Sequence, residues 1–162
     1  MVASGNQAPS FSLPGTDGNS IGRYDLSEYT EKGTVVLLFY PFDFSPVCTA
    51  ELCGFRDSEW LTFTPDLDVF GVSTDSAFSH RAFSQQNDLP FPLLSDRDGR
   101  VSEQYGVLYE ELEGHPRVSK RAVFVIDDDQ TVQYAWEADE YTTDPDIDEV
   151  HRAVEELASV EV

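Results

Sequence analysis

Thr34 to Phe39 reads T-V-V-L-L-F, a continuous apolar run rich in β-formers. A run of this kind is the pattern of a strand buried on both faces, at the centre of a sheet. Directly behind it lies Tyr40 to Asp57, Y-P-F-D-F-S-P-V-C-T-A-E-L-C-G-F-R-D, where the pattern turns helical. Ser45 is a good N-cap, and Pro46 falls at the first helical position, where a missing N–H costs nothing. The junction predicts a helix from Pro46 to about Trp60, long enough for a kink or break inside it. Cys48 then lies in its first turn.

A strand that delivers a thiol to a helix start has chemical meaning. The first turn carries free N–H groups and the positive end of the helix dipole, and both favour a thiolate, the nucleophilic form. The plainer alternative is a small buried hydrophobe. The only other cysteine is Cys53. The spacing C-x4-C is not the C-x-x-C of a dithiol carrier. On an unbroken helix five residues separate Cα atoms by about 8.7 Å, and a disulfide needs less than about 7 Å. The two sulfurs can pair only if the first turns unwind.

The rest of the chain reads as alternating strands and helices. Phe11–Leu13 and Ser20–Tyr24 flank the turn cluster P-G-T-D-G-N and predict an N-terminal β-hairpin. Tyr24 to Gly33 is a polar connection with a helical turn. Val69–Ser73 is a second buried strand. Ser76 opens a helix with Phe78, Ala82 and Phe83 as its apolar stripe, ended by N-D-L-P. A short strand over Pro92–Ser95, a turn at Asp96–Gly99 and a short helix over Val101–Tyr105 follow. Leu108 to Val118 reads as a polar excursion. Ala122–Ile126 and Thr131–Trp136 predict a second hairpin, and Ile147–Leu157 an amphipathic helix. There is no internal repeat and no linker, so residues 1–162 read as one domain. The order predicts an α/β thioredoxin-like fold, a mixed central sheet flanked by helices.

Charge narrows the function classes. The chain has 31 acidic and 10 basic residues, a formal charge of −21. Nucleic acid and anionic membranes both demand positive charge, so neither is an expected partner. At 40% apolar residues the chain has material for a core, so the acidity is not a sign of disorder. We expect a salt-accumulating source cell, where screening relieves the self-repulsion; thermal stability that is equal in low and multimolar potassium chloride would contradict this. An ordinary acidic protein is the alternative. No apolar run reaches the length of a membrane span, and the N-terminus lacks a basic start and an apolar signal core, so a cytoplasmic location is expected. His80, His115 and His151 are scattered without ligand spacing, and Asp127–Asp129 reads as an acidic turn, so no metal or other cofactor is assigned.

The stretch V-L-L-F-Y-P-F-D-F-S-P-V-C-T-A-E-L-C-G-F-R-D resembles the active-site segment of the peroxiredoxins, whose pattern P-x-x-x-[T/S]-x-x-C falls on Pro41, Ser45 and Cys48. G-V-S-T-D-S from Gly71 and R-A-V-F-V-I-D from Arg121 resemble two further segments of that family, and the likeness runs from about Ala8 to about Tyr134. It implies a thiol peroxidase acting on hydrogen peroxide and organic hydroperoxides. Cys48 would attack the peroxide, Arg121 would supply a fixed positive charge, and Ser45 would offer its hydroxyl. Pro41 would shield the site, and Glu51 would orient an arginine. Serine keeps the hydroxyl that most members carry on threonine and loses the methyl group that limits its rotation. Cys53 matches the resolving cysteine of the bacterioferritin-comigratory type, which forms an intramolecular disulfide reduced by a thioredoxin- or glutaredoxin-like donor. The segment from Arg121 onward looks instead like the alkyl hydroperoxide reductase E type, whose reductant comes from outside. Members of the family occur as monomers and as homodimers.

Each residue has a duller reading. Ser45 can be a cap alone, Pro41 a strand end, Arg121 a strand-end charge, Glu51 a solvated helix residue. Arg56 and Asp57 read as a local ion pair, and Phe42 and Phe44 as an apolar rim or core. Two other functions compete: a thiol–disulfide carrier that does not react with peroxide, and a binding domain with inert cysteines.

Overall fold

The computed structural model describes residues 1–160, with side chains described as far as Leu157. The apolar run is strand β3 (Thr34–Phe39), and all six of its residues are buried. It lies inside a seven-stranded mixed sheet built with β1 (Ser12–Thr16), β2 (Ile21–Asp25), β4 (Leu67–Ser73), β5 (Leu93–Ser95), β8 (Ala122–Ile126) and β9 (Val132–Glu137), in the order β2-β1-β5-β4-β3-β8-β9. β3 is parallel to β4 and antiparallel to β8.

Successive side chains of β3 point to opposite faces, so one strand feeds two cores. Val35, Leu37 and Phe39 pack with Phe70, Tyr105 and Phe124 on one face. Val36, Leu38 and Tyr40 pack on the other with Cys48, Leu52, Phe55 and Phe83. Val150 and Val154 of α6 (Ile147–Val160) close that second core. Helix α1 (Leu26–Thr30) follows the first hairpin, and α5 (Arg100–Gln104) follows β5. This is the α/β sandwich around a mixed sheet that the element order predicts.

Register decides what can meet at the end of β3. Phe39 is paired with Ala122. The residue before Ala122 therefore lies beside the chain just after Phe39, where the loop to the next helix starts. In this way the sheet carries Arg121 to Cys48 across 73 residues of sequence.

Three expectations are corrected, and one is located: the break expected inside the helix over Pro46 to about Trp60 separates α2 (Pro46–Arg56) from α3 (Glu59–Phe63). The break falls where Arg56 turns to pair with Asp57 at 2.9 Å and the Ser58 hydroxyl bonds back to the Gly54 carbonyl. In the first hairpin, Pro14, Gly15 and Thr16 belong to β1 and not to the turn. A Cβ on Gly15 would come within 2.6 Å of Leu94 Cδ2 and 2.8 Å of the Leu93 carbonyl, so glycine permits the close approach of β1 to β5.

The polar excursion is a hairpin of β6 (Leu108–Leu112) and β7 (His115–Ser119). Its two turn residues, Glu113 and Gly114, both have positive φ, as a tight hairpin of this twist requires. Pairing rests on backbone bonds across a half-exposed ribbon, which leaves little apolar alternation to read. On α4 (Ala77–Asn87), Phe78 is 67% exposed and Ala82 is also exposed, whereas Ala77, His80, Phe83 and Ser84 are buried. A histidine at the centre of the inner face turned the expected stripe.

Candidate active site

Ser45 takes the extended conformation of an N-cap and α2 starts at Pro46, which places Cys48 third in the helix. Glu51 follows three residues later, on the same face. Both are buried. Arg121, at the start of β8, is also buried, and its planar fork meets both of them. Nη2 donates to Cys48 Sγ at 3.1 Å, Nη1 donates to Glu51 Oε1 at 2.5 Å, and Nε donates to the Tyr141 carbonyl at 2.9 Å. Arginine suits the position because its donors leave in fixed directions and it stays charged when buried.

The charges hold one another in place. Burial alone would loosen the Arg121 proton, but Glu51 and then Cys48 outweigh it and hold the group above its ordinary value. Burial pushes Glu51 up from 4.5 to about 7, against the attraction of Arg121, and Asp144 adds to the rise. The two neighbours pull in opposite senses: Arg121 favours the carboxylate and the dry site favours the acid. The upward direction agrees with Glu51 Oε2, which is buried and accepts no hydrogen bond among the described residues.

This has a consequence for stability. A carboxyl whose folded value lies above its unfolded one contributes stability that is complete below the unfolded value and lost as pH rises to the folded one. Glu51→Gln is neutral throughout. The variant should gain on the wild type as pH climbs from about 4.5 to about 7, by up to roughly 3 kcal/mol. Denaturant titrations at several pH values measure this, and a difference that stays constant with pH would contradict it.

The other predicted residues lie around this trio. Pro41 is buried just beyond β3. Ser45 donates from Oγ to the Phe42 carbonyl at 3.3 Å and makes no side-chain bond to a helix N–H, so its capping is conformational. Phe42 is half-buried against the His115 ring, and Phe44 is 48% exposed with its ring against Phe83. Cys53 is half-buried, with Sγ 3.6 Å from Asn87 Oδ1. Both thiols are free, and α2 runs unbroken through them. Arg56 forms the local pair with Asp57 and also donates to the Asn87 carbonyl at 2.7 Å.

Sequence reasoning missed four residues around the site. Tyr141 acts through its carbonyl, which leaves no side-chain signal. Asn87 ties α2 to α4 from the helix end that N-D-L-P marks only as a stop. Asp43 and His80 form a buried pair at 2.7 Å; the signals available were an acid set between two phenylalanines and a histidine on an apolar helix face.

Comparisons with known proteins identify the family of the chain. The model of the AhpC/TSA family matches residues 4–135, a span that includes Cys48 and Arg121. A putative peroxiredoxin bcp from Coxiella burnetii is 39% identical over 135 residues, covering 82% of this chain and 86% of that protein. The chloroplastic peroxiredoxin Q of Triticum aestivum is 38% identical over 138 residues, covering 83% of this chain and 59% of its own length. Among solved structures, the reduced 2-Cys peroxiredoxin of Plasmodium vivax superposes with a TM-score of 0.87 at 27% identity, over 99% of this chain and 84% of that one. Peroxidoxin BcpB from Mycobacterium tuberculosis gives 0.79 at 30% identity, over 99% of each chain. From the family match and from relatives above a third identical along most of its length, the chain belongs to the AhpC/TSA family.

Proposed function

We propose that the protein is a thiol-dependent peroxidase that reduces hydrogen peroxide and organic hydroperoxides. The observation that carries this is the Arg121 guanidinium at 3.1 Å from Cys48 Sγ inside a buried site. That contact sets a fixed positive charge against the sulfur that does the attacking. The same fork faces the place where the leaving oxygen gathers negative charge, in surroundings with little water to screen it. The Cys48 thiolate attacks one peroxide oxygen. An S–O bond forms as the O–O bond breaks, the departing alkoxide or hydroxide takes up a proton, and the sulfur is left as a sulfenic acid. Glu51 holds the guanidinium in its plane, Ser45 offers a hydroxyl beside the helix start, and Pro41 keeps water from the strand end.

Cys53 then resolves the sulfenic acid. Its thiolate attacks Cys48 sulfur, an S–S bond forms, and hydroxide leaves and is protonated to water. A dithiol protein of thioredoxin or glutaredoxin type returns two electrons. The chain works as one domain, in the cytoplasm of a salt-accumulating cell; its charge of −21 supports the high-salt setting. The exposed rings of Phe44 and Phe78 support pairing of two copies.

The mass of the protein after one equivalent of peroxide tests the scheme. A loss of two hydrogens mapping to Cys48–Cys53 is expected. A gain of one oxygen on Cys48 would remove the internal resolver, and an unchanged mass would remove the peroxidase.

A further inference from the structure

The loop between β3 and α2 carries a buried polar cluster that the chemistry above leaves unused. The side chain of Asp43 is 1% exposed. Its Oδ1 accepts from the Tyr40 hydroxyl at 2.7 Å. Its Oδ2 accepts from the Ser79 hydroxyl at 2.7 Å and faces His80 Nδ1 at 2.7 Å. His80 is fully buried, and its Nε2 donates to the Leu94 carbonyl at 2.9 Å. The Asp43 backbone N–H donates to the Asp75 carboxylate at 2.7 Å. One loop residue is thus fastened to the end of β3, to the segment after β4, to α4 and, through His80, to β5.

The next residue is strained. Phe44 has φ of 67°, in the left-handed region that an aromatic residue rarely occupies. The residue stays 48% exposed even with its ring against Phe83, so full burial of the side chain does not account for the conformation. Ser45 returns to an extended conformation and α2 begins one residue later. The left-handed step therefore sets the direction in which the helix, and Cys48 in its first turn, sets out. A cluster kept only to fill space would be apolar, because buried polar groups gain little net stability and cost much when left unpaired. What directional bonds supply is a single geometry.

We propose that Asp43, braced by His80, is a positioning residue for Cys48: its buried hydrogen bonds hold Phe44 left-handed and so aim the first turn of α2 at Arg121. The inference rests on the peroxidase reading, because the rate with peroxide is its readout.

Stopped-flow oxidation by hydrogen peroxide, at a temperature where circular dichroism shows each variant folded, tests it. Asp43→Ala and His80→Leu are expected to react about tenfold more slowly, the factor that a left-handed residue without support costs. Asp43→Asn should stay within a few-fold of the wild type, because a neutral imidazole can accept from the amide and still donate to Leu94. Phe44→Gly added to Asp43→Ala should recover part of the rate, since glycine takes the left-handed conformation freely. A merely structural role would not predict that rescue. Folded Asp43→Ala at the wild-type rate overturns the proposal, and so does a slow Asp43→Ala that Phe44→Gly leaves slow. Should Asp43→Ala fail to fold, Ser79→Ala removes one donor only: a rate down about threefold supports the proposal and an unchanged rate overturns it. A wild type no faster than a free thiol defeats the peroxidase reading instead. Alkylation of Cys48 by iodoacetamide, which needs no peroxide, then reads the same variants.

Discussion

Arg121→Met should slow the reaction of Cys48 with hydrogen peroxide by roughly 10²–10³-fold, the usual consequence of removing one preorganised donor to a developing charge. Methionine keeps most of the volume and removes the positive charge. The sulfur loses the fixed positive charge 3.1 Å away, and the departing oxygen loses its partner. The variant carries a second effect that must be separated from the first. Arg121 and Glu51 are a buried pair, and removing one member of such a pair costs about 3–5 kcal/mol because the other charge is left alone. Glu51, already raised to about 7, can take up a proton and soften that loss. The double variant Arg121→Met/Glu51→Leu replaces both charges by apolar groups, and its stability should return close to the wild type. Its rate should stay low. Stopped-flow kinetics and denaturant unfolding on the single and double variants check both parts. A rate that recovers together with stability would mean that Arg121 supports the fold and not the reaction.

Cys53→Ser should leave the first oxidation of Cys48 at the wild-type rate and lower steady turnover with a dithiol protein by at least about tenfold. The reason lies in α2. It runs unbroken from Pro46 to Arg56, and helical geometry keeps the two Cα atoms about 8.7 Å apart. Resolution therefore requires the first turns to unwind after the sulfenic acid forms. The bonds that must loosen include the contact of Cys53 Sγ with Asn87 Oδ1. With serine at 53 no internal attack is possible, and the sulfenic acid waits for an outside thiol or oxidises further. Turnover that is unchanged in Cys53→Ser would assign resolution to the external reductant.

How far the sequence reaches differs along the chain. The unit from Thr34 to Cys48 was legible because three local signals agree there: an apolar run, a capping residue and a proline at the first helical position. The hairpin around D-D-D-Q is legible from two apolar runs about a turn cluster; the same signals mark the first hairpin but misplace its turn, since Pro14, Gly15 and Thr16 lie in β1. The ribbon of β6 and β7 was not, since backbone pairing between half-exposed polar strands leaves no pattern. The inner face of α4 is not legible from apolar spacing because its central residue is His80, buried for its hydrogen bonds and not for its hydrophobicity. Cys48 could be singled out from local sequence, whereas its meeting with Arg121 came only through the family resemblance. The physical cause of that meeting is the pairing of Phe39 with Ala122, a long-range register that local periodicity does not encode. Asp43 gives no local signal, because a lone acid in a loop reads as solvated until its burial is known.

The most direct measurement is the second-order rate constant for oxidation of the reduced protein by hydrogen peroxide near neutral pH, followed by stopped flow with and without Cys48 blocked by alkylation. The geometry predicts a reaction orders of magnitude faster than a small-molecule thiol under the same conditions, and its complete loss when Cys48 is blocked. A rate equal to that of the free thiol, or one indifferent to the blocked cysteine, would contradict the assignment.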